Sequence, residues 1–176
     1  MPFNFIYAMR EYSASLGNLS KIISVLGTLF LVGLFIYMGY LNYSEPRKEF
    51  AFMTALGLFM ILLPVITYFY MPRFYVITDE ALLIKRRAGN FRIPLSTIDR
   101  VESATKEDMR LTMRTFGNGG MFGFTGYFRN SKFGRMRWFV TQRCNYIVVT
   151  TKDQKKYVIS PDEPEMMVDD LSRSIG

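Results

Sequence analysis

Two windows of this chain are apolar all the way round a helical wheel. Residues 22–44 (IISVLGTLFLVGLFIYMGYLNYS) and 50–72 (FAFMTALGLFMILLPVITYFYMP) each run for 23 residues without a charged side chain. About 20 helical residues cross a hydrocarbon core of about 30 Å, so each window predicts a transmembrane helix. A buried helix of a soluble bundle would show an amphipathic stripe, and neither window has one. The polar link from Glu45 to Glu49 is so short that it joins only antiparallel neighbours, and residues 21–72 therefore predict a two-helix hairpin with both termini on one side. Lys21 precedes the hairpin and Arg73 follows it, and beyond Met71 the chain carries 18 basic against 12 acidic residues. By the positive-inside rule both termini are expected in the cytoplasm. Tyr37, Tyr40 and Tyr43 near the link, and Tyr68 and Tyr70 near the exit, sit where aromatic side chains collect at headgroup level.

The first window outruns a signal-peptide core and no A-x-A site follows it, so it is expected in the mature protein. Residues 1–20 form an N-terminal cytoplasmic segment in which Phe5, Ile6, Met9, Tyr12 and Leu16 share one helical face. That spacing suits a short interfacial helix, with an unstructured tail as the alternative. Pro64 removes a backbone hydrogen bond within the second window and predicts a kink. Ala51 and Ala55 give a small-xxx-small face on which helices approach closely. With no Asp, Glu, Lys or Arg inside either window, a transporter or channel is disfavoured.

Beyond Phe74 the pattern shortens to β-prone runs separated by polar turns. FYVIT and ALLIKRR around Asp79-Glu80, and NYIVVTT and KYVIS around KDQK, predict two hairpins. FRIP and IDRVESA around Pro94-Leu95-Ser96, and MRWFVT before Asn145, supply further strands. So many short strands predict an antiparallel barrel or sandwich. In SPDEPEMMVDDLSRSIG, Asp162 and Glu165 resemble a capping box, Pro164 fits a first helical turn, and Met167, Leu171 and Ile175 recur on one face. A C-terminal helix covering one end of the sheet is expected.

This order of strands and one closing helix, with the phrases YVITDEALLIKRRAGNFRIPLSTI, RTFGNGGMFGFTGYF and YVISPDEPEMMVDDL, resembles the bacterial pleckstrin-homology (PH) domain family, specifically its membrane-tethered members. The likeness covers roughly residues 73 to 174. It implies an α+β chain in which a transmembrane hairpin (22–44 and 50–72) is followed over residues 73–176 by a PH-like antiparallel β-barrel closed by a C-terminal helix. It also implies a multi-pass location in the bacterial cytoplasmic membrane. It carries over no ligand and no catalytic residue, because PH-like barrels host unrelated binding tasks.

Composition narrows the chemistry. The chain is 49% apolar and carries a net charge of +7, the balance of a surface that meets nucleic acid or an anionic membrane. Tethered beside a bilayer, such a surface finds anionic lipid first, so nucleic acid is not expected as a partner. The absence of histidine removes His-based acid-base chemistry, Ser-His-Asp and Cys-His pairs, and nearly every catalytic zinc site. Cys144, the one cysteine, cannot build a disulfide within the chain or a multi-Cys cluster. Gly117, Gly119, Gly120, Gly123 and Gly126 miss both the G-x-G-x-x-G and the P-loop spacing. No enzymatic activity, cofactor or metal site is expected.

The glycines lie in a segment, 105–127, that reads as a long loop and alternates them with aromatics. In one reading the glycines permit tight turns and the aromatics fold back on the barrel; in the other, Phe116, Phe122 and Phe124 contact the membrane interface or a partner's groove. Between Asp108 and Asp153 lie 44 residues with eight bases and no acid. Arg129, Lys132, Arg135 and Arg137 of this band, with Lys85 and Arg87 of a second cluster, are the basic candidates for headgroup contact, each worth about 1 kcal/mol beside an anionic leaflet. The second cluster fits a solvated hairpin tip as well, and Arg86 points opposite to Lys85 and Arg87. The function expected is that of a membrane-anchored adaptor engaging the membrane surface, through anionic lipid headgroups, or another membrane protein. The alternative is a structural homo-oligomer.

Overall fold

A computed structural model describes residues 10–44 and 50–175. The described chain begins with strand β1 (Arg10–Ser13), helix α1 (Asn18–Ser44) and helix α2 (Phe50–Tyr70). There follow β2 (Pro72–Ile77), β3 (Ala81–Arg86), β4 (Phe91–Pro94), a 3-10 turn (Leu95–Thr97), β5 (Ile98–Ala104), β6 (Met113–Gly120), β7 (Gly123–Asn130), β8 (Gly134–Val140), β9 (Tyr146–Thr151), β10 (Lys156–Ile159) and α3 (Pro164–Ile175).

The strands form two sheets, in the orders β1-β2-β3-β4 and β5-β9-β10-β8-β7-β6. The expected antiparallel barrel is thus corrected twice: there is no closed barrel, and β10 pairs parallel to β8. The reason for the first is a pairing between distant parts of the chain. β2 is hydrogen-bonded to β1 on one side and β3 on the other, so the edge on which the first sheet could have closed is already taken. The strand that takes it comes from residues 10–13, where a short helix or loose tail was expected. Phe5, Ile6 and Met9 of that expected helix lie outside the described residues, as do the 45–49 link and the Ala51 side chain of the small-residue face.

Period-2 alternation gives the six-stranded sheet two apolar faces. One packs against the four-stranded sheet and α3 through residues such as Tyr75, Leu82, Ile84, Phe139, Ile147, Ile159, Met167 and Leu171. The other, built on Phe124, Phe128, Met136, Trp138, Val148 and Val158, is covered by Met109 and Phe133 from the turns beside it. Tyr75 joins the two sheets: its hydroxyl donates to Phe139 O (2.7 Å) and accepts from Ser160 N–H (3.2 Å). Tyr12 of β1 reaches α3, its hydroxyl donating to Asp170, which also pairs with Arg10.

The two spans expected are reduced to one clear span among the described residues. Residues Asn18–Leu41 of α1 are long and apolar enough to cross a membrane, whereas the apolar run in α2, Thr54–Tyr70, is shorter. Residues 71 and 72 do not extend α2, because Pro72 already starts β2. Both helices carry apolar side chains outward, Phe30 at 69% and Phe52 at 65% exposure, and α2 contains Pro64. They touch at Gly57, where an added Cβ would meet the Phe35 ring at 2.4 Å.

Replacing the Tyr75 hydroxyl leaves a buried carbonyl and a buried N–H without their partner, so Tyr75→Phe is expected to cost about 2 kcal/mol. Burial pushes the Tyr75 hydroxyl up to about 12, above the ordinary tyrosine value of about 10. An unfolded chain therefore releases this proton first. The stabilisation is complete below pH of about 10 and is lost as pH rises towards 12. Thermal unfolding in mild detergent should show the wild type losing stability over that alkaline window, with part of the slope removed in Tyr75→Phe.

Candidate functional site

Both apolar helices enter the domain at one end. Gly17 N–H donates to Thr141 O (3.1 Å), just past β8, and Ala14 N–H donates to Arg73 O (3.0 Å) at the start of β2. Met71 alone separates α2 from β2. The last carbonyls of a helix lack intrahelical partners, and here Ala88 N–H, in the turn between β3 and β4, donates to Phe69 O (2.9 Å). Arg87 in the same turn lays its guanidinium 4.0 Å from the Tyr68 ring centroid, a cation–π contact.

The glycine-aromatic segment is not a loop but the β6–β7 hairpin, and its tip is docked on the helices. Phe122 N–H donates to Ser24 Oγ (2.6 Å) of α1, and that hydroxyl donates in turn to Ser20 O (2.5 Å). The Phe122 ring meets Tyr68 of α2 edge-on at 5.3 Å. Asn118 Nδ2 donates to Met121 O and to Gly123 O (2.8 Å), bracing the turn from within. These contacts hold Phe122 at φ 54°, a left-handed conformation that bulky residues rarely adopt.

The glycines are what permit pairing here. Gly117 and Gly126 face each other across the hairpin with φ of 115° and 133°. A Cβ on Gly117 would lie 2.3 Å from Thr125 O, and one on Gly126 would lie 2.3 Å from Phe116 O. The long loop is thereby replaced by a close-packed ribbon that only glycine allows.

The candidate residues are not gathered into one site. Phe124 is buried in the second core, because strand alternation turns it inward with Phe128, which stacks on Trp138 at 4.5 Å. Phe122 is half-buried on Tyr68, and Phe116 is 75% exposed. Lys132 pairs with Asp108 (2.5 Å) at the far turn of the sheet, and Lys85 pairs with Glu11 (3.5 Å). Arg129 and Arg135 are opposite one another on β7 and β8, exposed, and share a face with Arg137. Cys144 lies in the turn between β8 and β9, not at a strand edge.

Arg137 does face a cleft, together with Arg86, which sequence reasoning set aside. The face of β6, β7 and β8 that turns Phe139 towards the four-stranded sheet, the last turns of α2 and the end of β3 enclose about 330 Å³, with Ile66, Tyr70, Phe116 and Tyr127 among the walls. Arg137 stands over Phe91 (4.4 Å), Phe139 (5.2 Å) and Tyr127 (5.6 Å), and Arg86 over Tyr70 (5.3 Å) and Phe139 (5.8 Å). The signal for Arg86 was present in the alternation of ALLIKR: Leu82, Ile84 and Arg86 share one face, and the first two are fully buried. An arginine at the end of an inward row marks a place where the core opens.

With this geometry in hand, the comparisons are narrow. The family model described as bacterial PH domain matches residues 73–175. No curated protein and no solved structure matches the chain.

Gly117→Ala should force β6 away from β7, lower the thermal midpoint and strip hydrogen-exchange protection from residues 113–130. Gly33→Ala in α1, where an added Cβ meets nothing within 4 Å, should leave both unchanged.

Proposed function

The chain belongs to the bacterial PH domain family, and on that premise we propose that it is a membrane-anchored, non-enzymatic interaction module held against the cytoplasmic face of a bacterial inner membrane. Domains of this kind are generally interaction modules and not catalysts. The anchor is α1, whose apolar surface faces outward along a length sufficient to cross a bilayer. Because α1 leaves the domain at Gly17 and the chain is back in the domain by Pro72, a crossing by α1 requires a return, and α2 is the segment that supplies it. A first helical run outside the hydrocarbon, where Ser20 and Ser24 are buried against the domain, brings the β6–β7 tip to headgroup level.

The observation that carries this reading is the charge polarity of the domain. Its helix-bearing end presents Arg73, Arg86 and Arg87, while at the other end of β2 and β3 Glu80 pairs with Arg92 (2.6 Å) and Asp79 lies in a hollow shared with Arg10, Asp170 and Arg173. An anionic leaflet attracts the first end, whereas the second, where acids and bases are paired, offers no comparable excess of base. The partner is then the membrane surface with its anionic headgroups, or another membrane protein lying in the same plane. One observation favours the alternative, a homo-oligomer: Leu111, Met113 and Phe116 are 77%, 74% and 75% exposed on and beside β6, an unpaired edge strand. A defined oligomer in mild detergent that is lost on Met113→Lys would promote that reading.

Cysteine labelling tests the placement. In a Cys144→Ser chain, Tyr43→Cys should react with a membrane-impermeant maleimide added to intact spheroplasts, and Ser172→Cys should react only after permeabilisation. Labelling of Ser172→Cys from outside would overturn the orientation, and release of the chain by alkaline carbonate would overturn the anchor.

A further inference from the structure

The cleft between α2 and the Arg137–Phe139 face of β6, β7 and β8 has an unusual electrical character. It holds two arginines and no acid: its remaining lining is apolar, aromatic, glycine or neutral polar. Among the described residues neither Arg86 nor Arg137 forms an ion pair, and the guanidinium charges are met only by ring faces. Arg86 spends Nε on Gly89 O (3.1 Å), which leaves its terminal N–H groups for another acceptor, and among the described residues no hydrogen bond to a protein acceptor occupies Arg137. Burial first, and the neighbouring Arg137 second, hold Arg86 below the ordinary guanidinium range. Two like charges brought this close without a counter-ion are costly unless an anion sits between them.

Two of the other polar side chains at the rim are already engaged. Thr67 Oγ1 donates to Leu63 O and Pro64 O (3.0 Å each), and Asn118 Nδ2 braces the hairpin turn. The charged donors left for a ligand are forked guanidinium groups, the geometry that suits a phosphate, and the hydroxyls of Tyr70, Thr125 and Tyr127 line the same cleft. Beside them runs an apolar wall, Ile66 and Tyr70 from α2 and the exposed Phe116 from β6, continuous with the outward apolar surface of α2. A phosphate carried on a hydrocarbon chain matches both halves of this lining, while a free anion matches only one.

We propose that this cleft binds the phosphodiester headgroup of an anionic phospholipid, Arg86 and Arg137 holding the phosphate while the lipid's upper acyl segment lies along Ile66, Tyr70 and Phe116. The proposal rests on the membrane-anchored reading above and makes it specific: the bound lipid is a single seated molecule, distinct from the diffuse attraction of a basic surface. Lys85 and Arg87, one on each side of Arg86 in sequence, take no part, since Glu11 and Tyr68 already hold them.

The test uses the full chain in mild detergent, with lipid retention counted by native mass spectrometry. Offered phosphatidylglycerol and phosphatidylcholine of equal acyl length, the wild type should keep one phosphatidylglycerol per chain with a preference of about tenfold or more. Arg86→Gln with Arg137→Gln should abolish the preference, while Arg100→Gln with Arg110→Gln, which removes the same charge elsewhere, should keep it. Thr125→Phe, which fills the cleft and leaves both arginines in place, should also abolish it and guards against misfolding of the charge variant. Equal retention of both lipids by the wild type, or equal loss in the two charge variants, would overturn the site. Displacement of the lipid by excess inorganic phosphate would reassign it to a free anion. If the wild type stays with membranes in alkaline carbonate yet shows no preference, only the cleft fails; if it is released, the anchor reading fails instead.

Discussion

A single residue, Met71, lies between the last turn of α2 and the first strand of the matched domain, and most of the architecture follows from that brevity. A strand of six residues cannot pivot freely on one peptide unit when its neighbours are fixed, and here they are fixed on both sides. Phe69 O is held by the β3–β4 turn, and Arg73 O is held by Ala14, four residues before α1 begins at Asn18. The helices and the domain thus meet through backbone hydrogen bonds, where a flexible tether would need only a run of glycine and serine. The β6–β7 hairpin adds a third point of attachment through Phe122 and Ser24. Whatever the domain binds, it binds in an orientation set by the helices.

That constraint gives the charge distribution its meaning. On a freely tumbling domain, an excess of basic residues would be an average property. On a domain docked at one end, the arginines at that end are presented to whatever surrounds the helices, and those at the far turns are not. The structure sorts the basic band accordingly. Lys132 is neutralised by Asp108 at a distal turn, Arg129 and Arg135 stand exposed midway, and Arg86, Arg87 and Arg137 are placed on aromatic rings near the helices. Aromatic faces compensate a cation less fully than a carboxylate does, so these arginines keep much of their capacity to attract an anion.

The sequence made legible those features that rest on local periodicity. The hairpins β2–β3 and β9–β10 and the amphipathic α3 are set by spacings of two or between three and four residues, and each is found; the two uncharged windows are found as helices, of which α1 alone is a clear span among the described residues. What it hid depends on residues far apart in the chain. Residues 10–13 form a strand only because β2 offers an edge beyond α2, and no local pattern announces that. The glycines at 117 and 126 read as loop residues until each is seen opposite the other. For the candidate site, alternation correctly separated Arg86 from Lys85 and Arg87, but the choice of which side faced inward needed the neighbouring sheet. Phe124 fits both packing on the barrel and contact with a partner until tertiary packing, which decides its exposure, buries it.

The central claim is that the face carrying Phe116 and the two cleft arginines is held at the membrane boundary while α3 is held away from it. Depth measurement with a spin label tests this most directly, using Phe116→Cys and Ser172→Cys in a Cys144→Ser chain reconstituted into bilayers. The account predicts that the label at 116 collides more often with lipid-soluble oxygen than with a water-soluble nickel chelate, while the label at 172 shows the reverse. Equal collision ratios at the two positions would show that the domain is not held in one orientation and would contradict the account.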